Sequence, residues 1–168
     1  MDNAQRLQQA IAADDRAAAC ALVEAEPSLL EVAIAGGASA ILLALYMGKQ
    51  ALAEAIAQRK PALAITESAA LGRSDALLVA LAASPHAANE RSGDGFPALG
   101  LAVFFGHLRC AALLLGAGAD VDAAADNPMR VAPIHSACAR SDEVQACALA
   151  QLLLAFGANP NARQQAGW

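Results

Sequence analysis

The sequence predicts an all-α solenoid of stacked helix–turn–helix units. Two observations carry that prediction. Leu113 to Ala123 reads LLLGAGADVDA and Leu152 to Ala162 reads LLLAFGANPNA, so one phrase occurs twice within a few tens of residues. Such self-similarity marks a stacked repeat. Hydrophobic residues make up 57% of the chain but aromatics only 4%, because alanine and leucine carry the apolar content. These are the strongest helix formers, and β-branched residues are few.

The clearest unit runs from about Glu90 to Ala123. Asp94-Gly95 supplies a turn in which glycine permits positive φ. Phe96-Pro97-Ala98-Leu99-Gly100-Leu101-Ala102 opens a helix with proline in its first turn. Gly106-His107 ends it. Leu108 to Gly116 predicts a second helix with one apolar face. Gly118-Ala119-Asp120 then turns the chain outward again.

The turn between paired helices can be followed along the chain at Gly48, Gly72 and Gly106, with Asp14 in the same place in the first unit. Asp14 to Gly48 spans 34 residues, and so does Gly72 to Gly106, but Gly48 to Gly72 spans only 24. Lys60 to Thr66 must therefore join two units without a protruding finger. In the last full unit, four residues are added around Arg140-Ser141-Asp142-Glu143. They fall in the turn between the helices or extend one of them, and they read as a solvated loop rather than as part of a binding face.

The pattern resembles the ankyrin repeat, whose period is about 33 residues and whose mark is T-P-L-H-x-A. Ala132-Pro133-Ile134-His135-Ser136-Ala137 matches that mark well. Pro97-Ala98-Leu99-Gly100-Leu101-Ala102 matches it in part, and Ser39-Ala40-Ile41-Leu42-Leu43-Ala44 more weakly. The GADVDA and GANPNA endings are the more specific signal. The resemblance implies one ankyrin-repeat domain over 1–168, with units near 1–31, 32–64, 65–89, 90–123 and 124–162. Residues 163–168 then start a further unit, which makes the chain read as part of a longer array with an open, apolar last face. The first unit begins with Asp2, Gln5, Arg6, Gln8 and Gln9, the polar outer surface that a terminal unit needs.

Several function classes find little support. Eleven basic residues against sixteen acidic ones give a formal charge of -5, and no Lys/Arg run supplies a nucleic-acid footprint. The start lacks the basic and apolar regions of a signal peptide. Val32 to Gly48 is uncharged but falls short of the roughly 20 apolar residues of a membrane span, so it reads as a buried turn and helix. Cys20, Cys110, Cys138 and Cys147 have no CxxC pairing and read as buried free thiols of a cytoplasmic protein.

His86, His107 and His135 are scattered without a nucleophile or carboxylate at useful spacing, so neither a triad nor a metal site is expected. The resemblance gives His135 and His107 structural places at turns. Asp14-Asp15 and Asp142-Glu143 fall where helices start and read as caps rather than acid/base pairs. No enzyme, cofactor or metal is implied.

A surface stripe is the remaining candidate. In ankyrin repeats the two residues before the inter-helix turn face the concave groove. Carried onto this chain, they include Tyr46, Met47, Leu71, Phe104, Phe105 and Arg140, with Phe96 nearby on a finger. The finger residues Arg91, Ser92, Asp94, Asn127, Met129 and Arg130 are second candidates. The resemblance implies a non-catalytic scaffold that binds another protein there. The alternatives are a regulatory module holding a small apolar molecule in the aromatic groove, or self-association through the last repeat.

Overall fold

The computed structural model describes residues 2–164. Among them are ten α-helices that form five antiparallel pairs, each joined by a tight turn. The expected helix-turn-helix units are therefore present. The chain divides into two compact units, Met1–Leu63 and Ala64–Trp168, and the division falls where the sequence lacks a finger. Of the segment expected to begin a further unit, 163–168, residues 165–168 lie outside the described residues.

The first unit holds α1 (Asn3–Ala12), α2 (Arg16–Ala25), α3 (Ala40–Tyr46) and α4 (Gln50–Ala57). α1 packs on α3 and α2 on α4. Leu7, Ile11, Val23, Ile41, Leu42, Leu52 and Ile56 are almost wholly buried. Gln5, Arg6, Gln8 and Gln9 of α1 are exposed. Asp2, Asp15 and Ser39 cap the helices that follow them: the amides of Gln5, Ala18 and Leu42 donate to their side-chain oxygens at 2.7, 2.9 and 3.3 Å. Val32 and Ala33 are exposed, so burial of the uncharged stretch begins only at Ala38. Before α3 the stretch holds one short 3-10 turn, Ala35–Gly37, rather than a continuous helix. No described helix is long and apolar enough to cross a membrane.

The second unit holds α5 (Ile65–Ala70), α6 (Ser74–Ala83), α7 (Ala98–Phe105), α8 (Leu108–Gly116), α9 (Pro133–Cys138) and α10 (Glu143–Ala155). The inner helices α5, α7 and α9 pack in succession, and so do the outer helices α6, α8 and α10. Their shared core includes Leu77, Leu99, Val103, Leu114, Leu149 and Leu153. The interior is built from small and aliphatic side chains, as the composition requires.

The inter-helix turns repeat one hydrogen-bond pattern. Gly48, Gly72 and Gly106 have φ of 72°, 71° and 85°, and Asp14 takes φ 57° in the same role. At each, the next amide donates back to the fifth residue before it, as from His107 to Ala102 at 2.8 Å and from Asp15 to Ala10 at 2.9 Å. This closure satisfies helix-end carbonyls and needs a left-handed residue. Gly118 and Gly157 end the outer helices α8 and α10 in the same way, with Ala119 donating to Leu114 and Ala158 to Leu153. The two copies of the repeated phrase are thus two copies of one helix stop.

The added residues of the last unit do not form a free loop. They lengthen α10, which has 13 residues against nine in α8. Asp142 caps it by accepting from the amide of Gln145 at 3.1 Å.

Candidate surface on the second unit

The fingers of the second unit are stacked and fastened to each other. The first runs from Glu90 into α7 and is closed by a bridge between Arg91 and Pro97. Ser92 holds its turn, accepting from the amide of Phe96 at 3.1 Å and donating to the Phe96 carbonyl at 3.1 Å. The second finger runs from Gly118 into α9. Asn89 donates to the Gly118 carbonyl and accepts from the Asp120 amide, at 3.1 and 2.8 Å. Asp126 donates through its amide to the Gly95 carbonyl at 2.9 Å. Gly95 must be glycine here, because a Cβ would stand 2.8 Å from the Asp126 carbonyl oxygen. Asp122 accepts from the Asn159 amide at 2.9 Å, which carries the ladder onward.

Arg91 is part of this ladder. Its guanidinium donates to the carbonyls of Gly95 and Ala124 at 3.1 and 2.8 Å and lies 3.5 Å from the Asp126 carboxylate. Expected as a partner-facing residue, it is held by its own neighbours. Asp94 is half-buried, and one of its oxygens has no hydrogen-bond partner among the described residues. Asn127 accepts from the amides of Met129 and Arg130, both at 3.1 Å. That turn projects Met129 into solvent at 59% exposure, with Arg130 beside it at φ 46°.

On the inner helices, the expected stripe is not uniform. Phe104 is 50% exposed, and Phe105 is half-buried. Their rings meet edge to face, 5.0 Å between centroids and 89° between planes, a favoured aromatic geometry. Phe96 is half-buried at the foot of its finger. Leu71 is 5% exposed and cannot serve as an open contact. All six residues of α5 are buried, and Leu71 continues that interior helix. In the first unit, Met47 is 43% exposed and Tyr46 half-buried at the end of α3.

Arg140 departs from its expected place as well. Its guanidinium donates to the Phe104 carbonyl at 2.6 Å and to the Gln145 side chain at 2.6 Å. It thereby satisfies the carbonyl end of α7, where the helix dipole also favours a cation. Arg140 thus holds the backbone at Phe104 through its carbonyl.

Two other residues act alike, and sequence reasoning missed one of them. Lys49 donates through Nζ to the carbonyls of Ile11 and Ala12 at 2.6 and 2.5 Å. The Nε2 of His107 meets the Ala70 carbonyl at 2.9 Å. Each directly follows its turn glycine and reaches the last carbonyls of the preceding inner helix. A long or ring-bearing donor just after each turn glycine was the available signal.

His135 occupies the structural place that the resemblance gave it. Its Nδ1 accepts from the Ala132 amide at 3.0 Å, so Nε2 carries the proton and donates to the Ala162 carbonyl at 2.9 Å. Glu67 was not singled out, yet it plays the first of these parts at α5, accepting from the Ala64 amide at 3.0 Å while 2% exposed. The sign was a carboxylate three residues after the helix-start residue. His86 is exposed.

Two of the four thiols contradict the expectation of burial. Cys138 and Cys147 are exposed, while Cys20 and Cys110 are buried. The short inner helix α9 ends at Cys138, and Cys147 lies on the outer side of α10, where no described element covers it. Burial pushes the Cys110 thiol up from its ordinary 9.0 to about 11, with Arg109 opposing the shift. Among the described residues, no group of three His, Cys, Asp or Glu is placed to hold a metal ion.

Paired antiparallel helices, stacked inner on inner and outer on outer with hydrogen-bonded fingers between them, define a helical repeat protein. One repeat, residues 94–126, matches the ankyrin-repeat family model, and the chain has the ankyrin-repeat fold. Three solved structures are similar to it. EF0377, an ankyrin repeat protein, aligns at TM-score 0.57 and 20% identity over 97% of this chain and 86% of its own. The human ASB11 ankyrin repeat domain aligns at 0.52 and 24%, over 96% and 73%. An ankyrin repeat domain (ABAYE2397) from Acinetobacter baumannii AYE aligns at 0.50 and 24%, over 89% and 80%. No curated protein matches the sequence. Ankyrin repeats are generally protein–protein interaction modules, and their proteins are typically non-enzymatic scaffolds.

Proposed function

We propose that the second unit is a non-catalytic, cytoplasmic scaffold that binds a partner protein along α7 and the finger ladder. One observation carries this reading. α7 is buried from Ala98 to Val103, yet Phe104 is half in solvent on a helix end that Arg140 fixes. A large aromatic side chain held rigidly in water loses little conformational entropy when a partner covers it. Met129, projected from the second finger, is the natural companion contact. Phe105 and Arg130 flank them, while Arg91 and Arg140 shape the surface from within. In the first unit, Met47 and Tyr46 are the corresponding candidates.

The test is affinity capture from native lysate with the wild-type chain and with Phe104→Asp, after both show equal helicity by circular dichroism. A protein retained by wild type and lost from the variant, by about 30-fold or more in affinity for a central aromatic anchor, supports the reading. Equal retention by both overturns Phe104 as the anchor.

For the apolar-ligand alternative, the supporting feature is not at the aromatic stripe. A groove of about 480 Å³ lies between the outer helices α6 and α8, lined by Leu78, Leu81, Pro85 and Leu113 among others. Its size falls in the range of small-molecule sites. Native mass spectrometry of the purified chain checks it, since a copurified apolar molecule is the required result. Self-association through the last repeat has Val144, Leu154 and Phe156 as its exposed apolar groups, at 81%, 46% and 48%.

A further inference from the structure

We propose that the partner segment accepted by this surface is cationic, with an apolar residue at its centre flanked by lysine or arginine. The inference rests on the partner-binding reading of the second unit and adds the partner's chemistry. Glu90, Asp94, Asp120, Asp122 and Asp126 all lie on the two stacked fingers. All but Asp94 are exposed. The fingers carry only two cations against them. Arg91 is fastened to two finger carbonyls and to Asp126, which leaves Arg130.

Within α7 and α9 no fixed cation offsets these acids, and Arg140, just beyond α9, is tied to the Phe104 carbonyl and the Gln145 side chain. α7 contains no basic residue, and the one basic side chain of α9 is His135, whose ring is taken up by the Ala132 amide and the Ala162 carbonyl. Fingers tied at Asn89–Asp120, Gly95–Asp126 and Asp122–Asn159 keep four exposed carboxylates on one stacked pair of fingers. Like charges held so are unfavourable in the free protein, and a cationic partner relieves them. The same field repels phosphate and acidic peptides. Phe104 and Met129 supply the apolar contacts, so charge alone is not a sufficient ligand.

The probes are three labelled peptides of equal length. One has a leucine–phenylalanine centre flanked by lysines, one has the same centre flanked by glutamates, and one has a glycine–serine centre flanked by lysines. Each is titrated by fluorescence anisotropy against the full chain. The lysine-flanked apolar peptide should bind at least about tenfold more tightly than either control, and added salt should weaken it.

Asp120→Asn combined with Asp122→Asn removes two charges and keeps both side-chain acceptors. It should reduce that affinity several-fold with helicity unchanged. Phe104→Ser should reduce it through the apolar contact. Equal binding of the lysine- and glutamate-flanked peptides overturns the cationic inference while leaving the groove reading standing. Binding that neither variant changes places the peptide elsewhere and overturns the inference. No binding by any of the three also overturns it, and the lysate capture above then decides the groove reading separately.

Discussion

The imidazole of His107 lies over Gly72 so closely that a Cβ on residue 72 would stand 2.6 Å from Nδ1. The same ring reaches the Ala70 carbonyl at 2.9 Å. One glycine therefore serves two demands, a left-handed turn and room for the clamp of the following repeat. Gly48 has almost the same φ but open space around its α-carbon.

The two glycines should respond differently to alanine. Gly48→Ala meets only the left-handed backbone cost, about 1–2 kcal/mol. Gly72→Ala meets that cost and must also displace His107 from Ala70, which adds about 1–3 kcal/mol for the unsatisfied groups. Urea unfolding followed by circular dichroism should place the Gly72→Ala midpoint below that of Gly48→Ala. Equal midpoints would show that the His107 clamp contributes nothing measurable.

Arg140 makes a second comparison possible. As a tie to the end of α7, its loss leaves the Phe104 carbonyl without that donor. Arg140→Ala should lower stability by about 1–3 kcal/mol, with a parallel loss in Gln145→Ala smaller than about 1 kcal/mol. Were Arg140 instead a solvent-facing partner contact, alanine would leave the urea midpoint within about 0.5 kcal/mol of wild type.

How much of this was legible in the sequence depends on what each residue answers to. The glycines at 48, 72, 106, 118 and 157 were legible because a left-handed helix stop is a local requirement. Asp14 was legible by its spacing alone. Arg140 was not, because counting along a repeat fixes a residue's register but not where a long side chain with an inserted turn beside it will find acceptors. Leu71 failed for a related reason: its register is that of an exposed stripe, but α5 is buried on every side. Lys49 and Glu67 carry only faint sequence signs, a long donor just after a turn glycine and a carboxylate three residues after a helix start, because the partners of both lie on the backbone. The acidic excess was legible only as a net charge of -5, and its gathering on two fingers follows from the hydrogen bonds that stack them.

The thiols separate by environment. In native protein, Ellman's reagent should consume two thiols quickly, Cys138 and Cys147, and the other two only on unfolding. Cys110 adds a pH dependence with a definite sign. Between about 9 and about 11 the unfolded chain releases the proton while the folded one keeps it. The unfolded state then binds fewer protons, so stability falls as pH rises through that window. Cys110→Ala should flatten this alkaline loss, although the missing sulfur lowers stability at neutral pH. An unchanged alkaline slope in the variant would assign it to other groups.

Asp14 is the one inter-helix turn residue built on a side-chain-bearing amino acid at positive φ, 57°. Its carboxylate caps nothing among the described contacts, because the capping of α2 falls to Asp15. Glycine at this position would keep the backbone closure from Asp15 to Ala10 and remove the Cβ penalty of about 1–2 kcal/mol, reduced for Asp by its tolerance of this region. Against that stands about 0.4–1 kcal/mol of added freedom in the unfolded chain. The terms nearly cancel and leave a gain of roughly 0.5 kcal/mol. Asp14→Gly should therefore raise the urea midpoint slightly or leave it unchanged, whereas Asp14→Val, β-branched and strained in this region, should lower it by more than 1 kcal/mol. A clear loss of stability in Asp14→Gly would mean that the carboxylate, not the backbone, holds this turn.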